Sequence, residues 1–117
     1  MKIVKVNKIP KIPFADPVFT GTDVTKQTLV SDSKDLSLYI VNFGKGIKNR
    51  FHTHNGDQVL IIIAGKGIVA TEKENRIVTT GDLVLFPARE KHWHGATEDS
   101  EFSHIVITKG GVKFASA

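Results

Sequence analysis

The sequence predicts an all-β domain, and three observations carry that prediction. Ile and Val contribute 12 residues each against 6 Leu, an excess of β-branched side chains that suits pleated, half-buried surfaces better than helices. No stretch repeats apolar residues at helical spacing over three turns. Short apolar runs instead recur at regular intervals between clusters of turn residues, the pattern of an antiparallel sandwich or barrel.

Taken in order, strands are expected over Lys2 to Val6, Thr28 to Ser31, Leu36 to Phe43, Gln58 to Ala64, Gly67 to Thr71, Arg76 to Thr79, Leu83 to Phe86, His92 to Gly95 and Phe102 to Thr108. Turns separate them at Asp32-Ser33-Lys34-Asp35, Gly44-Lys45-Gly46, Asn55-Gly56-Asp57, Gly65-Lys66-Gly67, Lys73-Glu74-Asn75, Gly81-Asp82 and Glu98-Asp99-Ser100. Pro10 to Gly21 holds three of the four prolines and reads as an irregular arm laid over the surface. Lys2, Lys5, Lys8 and Lys11 would guard an edge strand against uncontrolled pairing. The alternation over Lys2 to Val6 also suits pairing with a second copy, which predicts a homodimer.

A chain of 117 residues fits a single domain, and Leu, Ile, Val and Phe make up 37 of them, enough for one apolar core. The longest apolar run, Val59 to Ala64, is six residues, against the roughly 20 of a membrane-spanning helix. The first ten residues are broken by Lys5, Asn7 and Lys8 and do not read as a secretory leader, so a cytoplasmic protein with no membrane partner is expected. The net charge of +4 invites a nucleic-acid reading, but the basic residues outside the first eleven are scattered among acids with no aromatic stripe, and no nucleic-acid partner is expected. With no cysteine in the chain, thiolate metal sites, disulfides and a cysteine nucleophile are excluded. Imidazole, carboxylate, amide and hydroxyl groups remain.

All five histidines fall between positions 52 and 104. On an extended strand His52 and His54 project to the same side about 6.5 Å apart, within reach of one metal ion, and the same parity pairs His92 with His94. Gln58 follows His54 by four residues; it can stand as a fourth ligand or as an amide hydrogen-bonded in the core. Asp57 would point to the opposite face and is read as part of the turn.

The spacing Gly46, five residues, His52-Thr53-His54, three residues, Gln58, six residues, Gly65 is followed by Gly81, five residues, Pro87, four residues, His92. Over roughly residues 36 to 108 this resembles the cupin superfamily, with its two motifs separated here by the fifteen residues between Gly65 and Gly81. The resemblance implies a cupin jelly-roll, an antiparallel β-barrel preceded by an N-terminal strand and arm over residues 1 to 35. It also implies a divalent metal ion bound by His52, His54, Gln58 and His92. Three positions depart from the family pattern: Gln58 replaces a glutamate, Arg89 a glycine and Ala96 an asparagine. A neutral amide contributes no charge, so an ion held this way would keep its full 2+ charge and be bound less tightly.

Lys91-His92-Trp93-His94-Gly95-Ala96-Thr97, with His104-Ile105-Val106-Ile107 and Phe19-Thr20-Gly21, is similar to the small bacterial cupins of the carboxymuconolactone decarboxylase-associated group. Some of these are manganese-dependent hydroxynitrile lyases that also carry glutamine at the fourth ligand position. That likeness implies Mn2+ as the favoured ion, with Fe2+, Ni2+ or Zn2+ as alternatives, and a small-molecule substrate carrying a hydroxyl or carbonyl. His94 and His104 become candidates for acid/base work. Tyr39, where relatives tend to have a smaller residue, would face the pocket, where it is a further catalytic candidate that could donate a proton or else narrow the cavity. Trp93 and Phe51 alternate away from the ligand face, and Arg89 is expected to be a solvated loop charge. The competing readings are an Fe2+ dioxygenase and a non-catalytic barrel that binds a small ligand.

Overall fold

A computed structural model describes residues 1–117. Ten strands follow one another: β1 (Ile12–Pro13), β2 (Val24–Val30), β3 (Leu36–Phe43), β4 (His52–His54), β5 (Gln58–Thr71), β6 (Asn75–Thr79), β7 (Leu83–Phe86), β8 (His92–Ala96), β9 (Phe102–Lys109) and β10 (Phe114–Ser116). They form one curled antiparallel sheet in the order β1-β2-β3-β9-β5-β8-β4-β10, with β6 and β7 also paired to β5. The jelly-roll barrel expected from the sequence is present. β3 and β7 have the expected bounds, β6, β8 and β9 extend the expected segments by one residue, and β2 starts four residues earlier than expected and ends one earlier, at Val30. No helix is long and apolar enough to cross a membrane.

Two expectations are corrected. Gly65-Lys66-Gly67 is not a reversal, because β5 runs through it as a single strand of 14 residues. Its first half pairs with β7 and β9 and its second half with β6 and β8, so this strand belongs to both walls. Gly65, at φ +74°, takes the bend between them, and Gly67 leaves room for the Phe102 ring, with which a Cβ would collide. The sheet therefore folds over Phe102, which has no exposed surface.

The second correction is at the start of the chain. Lys2 to Val6 is not a strand; only a 3-10 turn, Val6–Lys8, forms there. The outermost ladder is β1 against Thr25 and Lys26, and Gln27 Nε2 donates to the Ile9 carbonyl (2.8 Å), which fixes the chain ahead of β1. The edge on which a homodimer was expected is thus absent in that form.

Alternation along β3 and β9 decides what faces inward. Val41 and Phe43 on β3, with Phe102 and Val106 on β9, are buried together with Leu60, Ile62 and Phe86. His104 lies on the same inner face as Phe102 and Val106, as strand parity requires. The proline-rich arm does more than cover the surface. Phe14, Val18 and Phe19 close one end of the barrel interior, held there by Arg50, whose guanidinium donates to the Pro17 and Phe19 carbonyls (both 2.6 Å).

Candidate metal centre

His52 and His54 come from β4 and His92 from β8, and the two strands meet at a direct His52–His92 register pair. One nitrogen of each of the three rings lies within 4.8 Å of the others. The tautomers follow from the backbone. His52 Nδ1–H donates to the Arg50 carbonyl and His92 Nδ1–H to the Glu90 carbonyl, both at 2.7 Å, which leaves Nε2 of each ring with its lone pair free. Phe86 stacks on the His92 ring at 3.8 Å and holds its orientation. Gln58, at the start of β5, is buried beside them, with its Nε2 3.4 Å from His54 Nε2.

Buried polar atoms without a partner cost free energy, and this cluster holds three, His54 Nδ1, Gln58 Oε1 and His92 Nε2. A divalent ion would engage the His92 Nε2 and Gln58 Oε1 lone pairs. Burial pushes the His54 and His92 imidazoles down to about 4, reinforced by the nearby His52, and lowers His52 as well. All three are therefore neutral near pH 7, the form that can donate a lone pair to a metal. The donor set fits an ion of the first transition row better than calcium or magnesium, which favour oxygen.

Behind these residues lies a small cavity of about 60 Å³. His94 and His104 line it, with ring centroids 4.9 Å apart. Asn49 grips His94 from both sides: its Oδ1 accepts the His94 backbone N–H (2.8 Å) and its Nδ2 lies 3.3 Å from His94 Nε2. With Nε2 accepting from Asn49, the ring proton of His94 sits on Nδ1, which has no partner. Neither ring nitrogen of His104 has a partner. Burial lowers His104 to about 3 and takes His94 well below its ordinary value, so both are neutral.

Tyr39 does face the cavity from β3, with Lys26 Nζ 4.2 Å from its ring centroid on the other side, and burial raises its phenol above the usual 10. Trp93 and Phe51 point away as expected, each covered by a lysine, Lys48 and Lys91. Asp57 is no rival ligand, since its Oδ1 accepts the Ala88 N–H (2.8 Å) and ties the turn to the Pro87 loop. Arg89 is exposed in that loop at φ +70°, the backbone conformation that explains a glycine at this position, and its N–H donates to the His54 carbonyl (2.8 Å). Sequence reasoning missed Asn49 and Phe114, both of which line the cavity.

The model of the cupin domain family matches residues 39–108. Among curated proteins the chain is similar to an (R)-mandelonitrile lyase of Granulicella tundricola, 34% identical over 93 residues, which cover 79% of this chain and 64% of that protein. It therefore spans slightly less than two thirds of that relative. It is also similar to the pectin degradation protein KdgF of Dickeya dadantii, 33% identical over 74% of this chain and 77% of the relative. Among solved structures, a cupin-like protein of Thermotoga maritima superposes with a TM-score of 0.79 at 33% identity, covering 90% of this chain and 84% of the other. The polyketide cyclase RemF of Streptomyces resistomycificus superposes at 0.89 over the whole of this chain and 85% of the other, at 13% identity, a likeness of fold.

Proposed function

The chain belongs to the cupin family, and from that premise we propose that it is a divalent-metal-dependent lyase acting on a small hydroxynitrile. One observation carries the reading. His52 and His54, grouped with His92 in the metal-binding cluster, line one cavity together with His94 and His104, whose rings carry unpartnered nitrogens. The likeness to a mandelonitrile lyase supports the reaction class. Gln58 completes the ligand set, its amide oxygen serving as the fourth donor, and Mn2+ is the favoured ion, as the wider likeness implies.

An ion bound at these residues supplies positive charge that acidifies a substrate hydroxyl. The protein's own groups do the rest. Tyr39, Val41, Phe43 and Val106 surround the substrate's carbon substituents and exclude water. His104, which lines the cavity with no partner at either ring nitrogen, takes the hydroxyl proton. The C–O bond becomes a carbonyl as the carbon–cyanide bond breaks, its electron pair leaving on cyanide, and His104 then returns the proton to give hydrogen cyanide. His94, held by Asn49 with its proton on Nδ1, donates a hydrogen bond to the departing nitrile.

The test is cleavage of acetone cyanohydrin by Mn2+-loaded protein, followed by cyanide release. Activity well above the uncatalysed rate, lost in His104→Leu with metal content retained, is the expected result. No release from any hydroxynitrile by fully loaded protein contradicts the reading.

A further inference from the structure

Phe114 has an unusual position for a large aromatic residue. It is 46% exposed, yet its ring lines the cavity and stands edge-on to the metal-binding histidines, with centroids 6.1 Å from His52 and 6.3 Å from His54. It is not part of the main apolar core. The apolar surface it buries is buried against the site itself.

The segment that carries it is attached lightly. β10 pairs only with β4, placing Phe114 opposite His54 and Ser116 opposite His52, and all three of its residues are exposed. Gly111, at φ +78° with open space around it, turns the chain back from β9 toward the site. A reciprocal clasp holds its near end, where Lys113 N–H donates to Asn55 Oδ1 (2.8 Å) and Asn55 N–H to the Lys113 carbonyl (3.0 Å), and Ala117 N–H donates to the Phe51 carbonyl (3.2 Å) at its far end. Asn55 directly follows His54, so the clasp fixes Phe114 to the strand that bears the ligands. An outer strand with one neighbour and no buried side chain opens at a lower free energy than the core strands.

We infer that Phe114 determines the size of the ligand admitted to this site, and that β10 is the strap that holds its ring across the mouth. The inference rests on the reading of His52, His54 and His92 as a metal centre. With Tyr39 also lining the cavity and only about 60 Å³ within it, the ring restricts the native ligand to short aliphatic substituents. A phenyl group enters only when the Phe114 ring is removed or swings out.

Co2+-loaded protein titrated with imidazole and with 4-phenylimidazole, read by the visible spectrum of the ion, tests this without any assay of turnover. Wild type is expected to bind imidazole at least about 10-fold more tightly than 4-phenylimidazole. Phe114→Ala should bring the two within about 2-fold, with Phe114→Leu between. The same ratio in wild type and Phe114→Ala overturns the inference. If Co2+ develops no spectrum with wild type, the metal reading fails separately, and both ligands are then titrated into metal-free protein and followed by the amide shifts of His54 and Val106. Shifts from 4-phenylimidazole that appear only in Phe114→Ala support the inference there, and equal shifts in both proteins overturn it.

Discussion

The five histidines fall into two groups a few ångströms apart that the fold treats differently. His52 and His92 have one ring nitrogen bonded to a backbone carbonyl, two residues back in each case, so the other nitrogen is oriented with its lone pair available. The rings of the other pair differ: His94 is bonded only to Asn49, and His104, between Phe43 and Phe102, to nothing. The same side chain is thus oriented by a backbone carbonyl in one pair and left without one in the other. What separates these two pairs is the partner of the second ring nitrogen, a feature of the backbone path before each strand, and His54, whose Nδ1 has no partner, shares the cluster without that support.

The largest effect that would break this comparison is at the metal-binding cluster. His92→Ala should lower divalent-metal affinity by more than about 100-fold, beyond the 10 to 100-fold typical of groups that only support a ligand. His104→Leu should leave metal stoichiometry at one ion per chain, as measured by elemental analysis. Equal loss in both variants would erase the distinction.

Next comes acid stability. His104 is held at about 3 when folded against 6.5 when free, so the unfolded chain takes up a proton first as pH falls. Its contribution to stability is full above about 6.5 and is lost progressively between there and about 3. Metal-free His104→Leu should therefore unfold at a lower pH than wild type in an acid titration followed by circular dichroism. An unchanged midpoint would mean that the buried ring does not oppose protonation.

Asn49→Ala removes both contacts to His94 and leaves its backbone N–H unpaired, a cost of about 1–3 kcal/mol in urea unfolding with metal affinity changed little. Gln58→Glu sharpens the account of the metal-binding cluster, because a carboxylate in place of the amide should bind the ion more tightly in a competition titration. The smallest effect is expected from Arg89→Gly, which relieves a left-handed residue and should stabilise the fold by about 0.5–1 kcal/mol.

Much of the barrel was legible because strand parity is a local rule. It placed His94 on the face of His92, put His104 with Val106, and turned Trp93 outward. The motif spacing located the ligand face, and Arg89 in the left-handed conformation accounts for a family glycine without a change of loop. Features that depend on distant pairing were not legible. Asn49 reads as an ordinary loop residue, and its partner His94 is 45 positions away. Phe114–Ser116 is too short to show alternation, and it becomes a strand only because β4 offers it an edge. The continuity of β5 through Gly65 was hidden for the opposite reason, since two glycines flanking a lysine look like a turn wherever the sheets they join are not seen.

The most direct test of the central claim is calorimetric titration of Mn2+ into metal-free wild type, His92→Ala and His104→Leu under the same conditions. The account predicts one site in wild type and His104→Leu and none measurable in His92→Ala. Absence of binding in wild type, or undiminished binding in His92→Ala, would contradict it.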